Sequence, residues 1–154
     1  MIPDFSDIPD FDATDEPIIF NVEDIDFELP DTEGVIDWIH RVAESEDKRI
    51  GSVSYIFCSD DYLVQINIEY LNHDTLTDII TFPYATSPIE GDIFISIDRV
   101  RDNAKDFGIA FEHELRRVII HGVLHLCGYG DKTKAQAVVM RQKEDAALAL
   151  YQKV

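Results

Sequence analysis

The feature that most limits how this chain can fold is a helical pattern over residues 111–127. Val118, Ile119, Ile120, Val123, Leu124 and Leu126 coat it nearly all round, so the helix belongs inside a layered domain, not on its surface. Two histidines interrupt that coat. His121 and His125 are four residues apart, which puts both imidazoles on one face, one turn above the other. Gly128 stands where the helix must end, since it lets the backbone reverse without a Cβ clash. Asp131 then returns a carboxylate toward the same face. Two imidazoles and a carboxylate so spaced can hold one metal ion, and three protein donors leave a position open, as catalysis requires. In the alternative, both imidazoles hydrogen-bond to backbone carbonyls and hold nothing.

The flanking segments supply the layers. Ile18–Val22 reads as a strand. Asp31 or Thr32 can cap a helix from Glu33 to about Glu46, with Ile36, Ile39 and Val42 inward and Trp38 near the edge. His40 falls off that stripe as a surface residue. Gly51–Cys58 alternates small polar with apolar residues, a strand with one buried face. Ser59-Asp60-Asp61 caps a second helix carrying Leu63, Ile66, Asn67 and Tyr70. Asp78–Phe82 and Gly91–Ser96 form an antiparallel pair joined by a loop over Pro83–Gly91. A helix from Ser96 or Asp98 to Phe107 stops at Gly108, and a last amphipathic helix covers Lys134–Tyr151, with Val138, Val139, Ala146, Leu148 and Leu150 as its apolar residues. About four strands and about five helices, not in strict alternation, predict one α+β domain with a mixed sheet and the metal site on a central helix.

A chain of 154 residues with 45% hydrophobic content can bury such a core. The net charge is −18, and eleven of its acids fall within residues 1–31, where no Lys or Arg occurs. Residues 1–16 therefore read as a flexible acidic tail ahead of a single domain over 17–154. No apolar run is long enough to span a membrane, and Met1-Ile2-Pro3-Asp4-Phe5 lacks the basic and apolar blocks of a secretory signal. Cys58 and Cys127 are too few for a disulfide framework and read as buried free thiols of a cytoplasmic protein. Cys127 lies among the ligand candidates, but its spacing from His125 is wrong for coordination on the same face.

Three segments, H-G-V-L-H-L-C-G-Y-G-D from His121, G-D-I-F-I-S from Gly91 and T-D-I-I-T-F-P from Thr77, together resemble the YbeY family of bacterial metal-dependent endoribonucleases. They come in that family's order and span most of residues 18–150. The resemblance implies a mixed sheet with a helical layer and one divalent metal, zinc, held by three histidines. It also implies cleavage of single-stranded RNA in 16S rRNA processing, ribosome maturation and ribosome quality control. Two positions depart from the pattern. Asp131 stands where the family has its third histidine; an anionic donor lowers the net charge at the metal and weakens it as a Lewis acid. Leu71 stands where the family has an arginine that meets the RNA phosphate.

Arg117 is a candidate for that missing cation and for a catalytic role beside His121, because it precedes His121 by four residues on the same face. The competing reading is a solvent-facing pair with Glu114. His73 and Asp78 are substrate-side candidates, since their loop matches a family segment facing the cleft. Otherwise His73 is an ordinary loop residue, and Thr77 and Asp78 fix the loop by local hydrogen bonds.

Three function classes compete. A hydrolase cutting RNA can also draw on the 2′-hydroxyl that RNA itself carries. A zinc peptidase needs a glutamate directly after the first histidine, and Gly122 occupies that place, which argues against it. A non-enzymatic assembly factor would bind ribosomal proteins or a ribosome-associated GTPase, which the acidic balance and Leu71 favour. Two histidines and one carboxylate also form the ligand set of Fe(II) oxygenases, which leaves the metal's identity open.

Overall fold

The computed structural model describes residues 17–73 and 76–152; the expected acidic tail, residues 1–16, lies outside them. In chain order the elements are β1 (Ile18–Val22), α1 (Thr32–Ser45), β2 (Ile50–Cys58), α2 (Asp60–Leu71), β3 (Ile79–Thr86), β4 (Ile89–Ser96), α3 (Ile97–Phe107), α4 (Phe111–Leu126) and α5 (Lys134–Ala149). The sheet order is β1-β2-β4-β3, with β1, β2 and β4 parallel and β3 antiparallel to β4. This is the α+β domain with a mixed sheet that the sequence predicts.

The central strands bury alternate residues, Val53, Tyr55 and Phe57 on β2 and Ile89, Ile93 and Ile95 on β4. Helix α4 lies against this face, and two contacts set how closely. A Cβ on Gly122 would sit 2.9 Å from Ile93 Cδ1, so any side chain there would push the buried Ile93 aside or lift the helix off the sheet. The Tyr55 hydroxyl donates to the Ile119 carbonyl at 2.9 Å. Helix starts follow ordinary capping chemistry: Ser59, Ser96 and Thr133 accept backbone N–H bonds from Tyr62, Arg99 and Gln136. Among the described residues no helix is long and apolar enough to cross a membrane.

Four local expectations change. The segment expected as a loop over Pro83–Gly91 is mostly strand, because β3 runs to Thr86 and β4 begins at Ile89. Pro83 is tolerated there since β3 is an edge strand, and its register with β4 shifts between Pro83 and Ala85. Trp38 is fully buried, not at an edge: its Nε1 donates to the Ala147 carbonyl at 2.7 Å, and the Tyr151 ring meets it edge-on. Asp31 precedes α1 in a left-handed conformation and makes no side-chain cap; its carboxylate accepts from the Tyr151 hydroxyl instead. On α5, Val138, Val139 and Leu150 are exposed, while Met140, Glu144 and Ala147 face inward. These three follow i, i+4, i+7 spacing, a helical stripe with a carboxylate at its centre.

The Trp38–Ala147 bond ties α1 to the end of α5. Replacing Trp38 with Phe removes the donor and leaves unfilled volume, and should lower unfolding free energy by about 1–3 kcal/mol. Urea denaturation measures it; a change below a few tenths of a kcal/mol would show that the bond contributes nothing to this packing.

Candidate metal centre

Helix α4 ends at Leu126 with Cys127 as its C-cap, and the chain reverses through Gly128 at φ 110°. A Cβ there would meet no atom within 4 Å, so glycine is required by backbone conformation and not by space. The reversal brings the Tyr129 carbonyl back to His125, whose Nδ1 donates to it at 2.8 Å. His121 Nδ1 lies 2.6 Å from Glu144 Oε2 on α5. A carbonyl and a carboxylate can only accept, so both imidazoles carry their proton on Nδ1. Each then presents an Nε2 lone pair on its other side. Both lone pairs face one atom: Asp131 Oδ2 lies 3.2 Å from His121 Nε2 and 3.3 Å from His125 Nε2.

The three donor atoms lie within 4.8 Å of one another and could hold a metal ion. Two imidazoles each anchored at Nδ1, plus a carboxylate, form a donor set suited to a divalent ion such as zinc. The alternative in which both histidines merely bond to carbonyls describes one side of His125 and leaves this convergence unexplained. Neither thiol joins the group. Burial pushes Cys127 up to about 11 and Cys58 up to about 12, so both stay protonated.

Glu144 is the residue that reading the sequence missed. It is 6% exposed, and its two oxygens are divided between Arg117, whose NH1 donates to Oε1 at 2.9 Å, and His121 on Oε2. Burial alone would raise the Glu144 carboxyl, but the hydrogen bonds from His121 and Arg117 outweigh it and hold it below its ordinary value. Burial would likewise lower His121, and the bond and charge of Glu144 outweigh that, leaving its proton affinity raised. The available signal was the Met140–Glu144–Ala147 stripe, which a search for apolar residues alone passes over.

Arg117 is therefore brought to the centre, but in company. Its second terminal nitrogen donates to Asp145 Oδ1 at 3.1 Å, and its side chain is only 16% exposed, so no solvent-facing pair with Glu114 forms. The centre opens on a cleft of about 430 Å³ whose lining includes Thr77, Asp78, Asn103, Glu114, Arg117 and Arg141. Asp78 accepts from Asn103 Nδ2 at 3.4 Å; burial raises its carboxyl, with His121 pulling it partly back. Thr77 Oγ1 bonds locally to the Ile79 carbonyl. Glu114 is buried at 4% exposure, and its carboxyl is raised by burial and then by the charge of Asp78. His73 is exposed beyond the end of α2 and is not part of the cleft wall, nor is Leu71.

Known proteins match this chain over nearly its whole length. A family profile described as Endoribonuclease YbeY covers residues 19–152. A protein named Endoribonuclease YbeY from Flavobacterium johnsoniae is 54% identical over 135 residues, 87% of this chain and 96% of that one. One of the same name from Flavobacterium psychrophilum is 56% identical over the same shares. Among solved structures, the solution structure of TM1509 from Thermotoga maritima superposes with a TM-score of 0.65 at 28% identity, covering 87% of this chain and 88% of that one.

The shared carboxylate carries a prediction with two readouts. Glu144→Gln should weaken metal binding by about 10–100-fold, the usual effect of losing a partner that orients a ligand, as measured by competition with a chromophoric chelator. In metal-free protein, the raised His121 contributes stability fully present below its ordinary value of about 6.5 and lost as pH rises through the raised value. The melting temperature of wild-type protein in chelator should therefore decline on that alkaline side, and the decline should be absent in Glu144→Gln. Equal affinity and parallel pH profiles would remove Glu144 from the centre.

Proposed function

Because this chain belongs to the YbeY endoribonuclease family, we propose that it cleaves single-stranded RNA using one divalent ion, zinc, held by His121, His125 and Asp131. The setting is 16S rRNA processing, ribosome maturation and ribosome quality control in the cytoplasm. The observation that supports this reading most directly is the convergence of two anchored imidazoles on one Asp131 oxygen. When bound, the cation supplies Lewis acidity toward a phosphodiester oxygen.

The chain's own groups do the rest. Glu144 fixes the His121 tautomer and ring plane, and Arg117 holds Glu144 in place, so Arg117 serves the centre as a positioning residue. Asp131 lowers the net positive charge of the site, which tempers its Lewis acidity relative to a triad of neutral histidines. Asp78 and Glu114 add carboxyls to the cleft wall, so an incoming phosphate must be met there by positive charge. Asn103 and Thr77 offer neutral hydrogen-bonding groups along the path of the RNA. RNA brings its own 2′-hydroxyl, so the protein's task is to orient the strand and stabilise charge.

A second reading, a platform for basic ribosomal proteins or a ribosome-associated GTPase, is favoured by the net charge of −18. One experiment separates the two. Metal-loaded protein incubated with labelled single-stranded RNA should cleave it, chelation should abolish the cleavage and zinc restore it, and His121→Ala should cut the rate by about a hundredfold or more. RNA left intact by loaded wild-type protein, together with retention of ribosomal proteins in a pull-down, would select the platform.

A further inference from the structure

The cleft is strongly acidic. Asp78, Glu114, Asp131 and Glu144 line it against two guanidinium groups, Arg117 and Arg141. A polyanion is held there more tightly where a side-chain cation keeps free N–H groups toward it. Arg117 does not: NH1 is on Glu144, NH2 is on Asp145, and the side chain is nearly enclosed. Arg141 differs on each count. It stands on α5 one turn before Glu144, its side chain is 57% exposed, and its NH1 lies 3.7 Å from Glu144 Oε1, beyond hydrogen-bond length. That oxygen already accepts from Arg117, and the other from His121, so Glu144 does not need Arg141 as a partner. The Glu114 carboxylate also feels the charge of Arg141, and its Oε1 is buried with no hydrogen-bond partner. Arg141 thus lines the cleft beside Glu144 without a hydrogen bond to it.

We propose that Arg141 binds an RNA phosphate adjacent to the metal centre, as the cation of this cleft that, among the described residues, remains open to substrate. The inference rests on the endoribonuclease reading. Glu144 separates Arg141 from His121 and lies on the Nδ1 side of that ring, whereas the metal donors lie on the Nε2 side. Arg141 therefore takes a phosphate beside the cleaved one. The planar guanidinium fork suits a bidentate hold on phosphate oxygens, which a lysine cannot reproduce. Backbone contact of this kind is indifferent to base sequence.

The test uses metal-loaded full-length protein, labelled single-stranded RNA and the variants Arg141→Gln and Arg141→Lys. Arg141→Gln should raise KM by about tenfold, the scale of one charge-assisted contact, for RNAs of different sequence alike, with kcat little changed. The slope of log KM against log salt should shrink by about 0.7, the value for one phosphate contact on a single strand. Arg141→Lys should keep that slope and give an intermediate KM. Metal content and melting temperature should match wild type in both. If wild-type protein cleaves RNA and Arg141→Gln has the same KM and slope, the proposal is wrong while the endoribonuclease reading stands. Loss of metal along with activity in Arg141→Gln would make Arg141 a support for Glu144 and overturn the proposal. If loaded wild-type protein neither binds nor cleaves RNA, both fall.

Discussion

A carboxylate can be buried in this protein only because two donors, Arg117 and His121, share its oxygens, and the geometry of the centre follows from that exchange. Removing either donor would leave one Glu144 oxygen without its partner in an enclosed position, at a cost of about 1–3 kcal/mol or more for a charged group. The pairing fixes where α5 lies on α4, because Glu144 must reach His121 from its Nδ1 side. It also fixes which nitrogen of His121 is left for an ion. Arg117, four residues upstream on α4, closes the arrangement and ties it to Asp145.

The sheet supplies the rigidity that such a centre needs. Tyr55 reaches from β2 to a carbonyl of α4, and Gly122 brings the α4 backbone against Ile93 of β4, so the two histidines stand on a helix clamped along its apolar side. Trp38 ties α1 to the far end of α5. The remaining ligand, Asp131, sits on the short connection between α4 and α5, which Gly128 turns and the capping box of Thr133 and Gln136 terminates. Two ligands are thus set by a packed helix and the third by a short loop held at both ends.

The sequence disclosed what depends on neighbours along the chain. His121, His125, Gly128 and Asp131 lie within a single stretch, so helical spacing and one turn sufficed to bring them together, and the cap residues Ser59 and Ser96 were legible for the same reason. Interactions between distant segments were hidden. Glu144 contacts a residue 23 positions away and Trp38 one 109 positions away, and no local periodicity encodes either. On α5 a rule that counts only apolar residues chose Val138 and Val139, because it has no means of recognising a carboxylate whose burial is compensated from another helix. The loop expected over Pro83–Gly91 proved mostly strand, and the position of β3 at the sheet edge makes Pro83 acceptable there.

The central claim is that Asp131 is the third donor of a metal centre and not simply a residue of the α4–α5 turn. Isothermal titration with zinc, alongside metal content, on Asp131→Ala, Asp131→Asn and Asp131→His tests it most directly. With Asp131 as a ligand, the Ala variant should lose several orders of magnitude in affinity. The Asn variant should also lose most binding, because a neutral amide replaces an anion, while His should retain the ion. Full metal occupancy and wild-type affinity in Asp131→Ala would contradict the three-donor centre and the mechanism built on it.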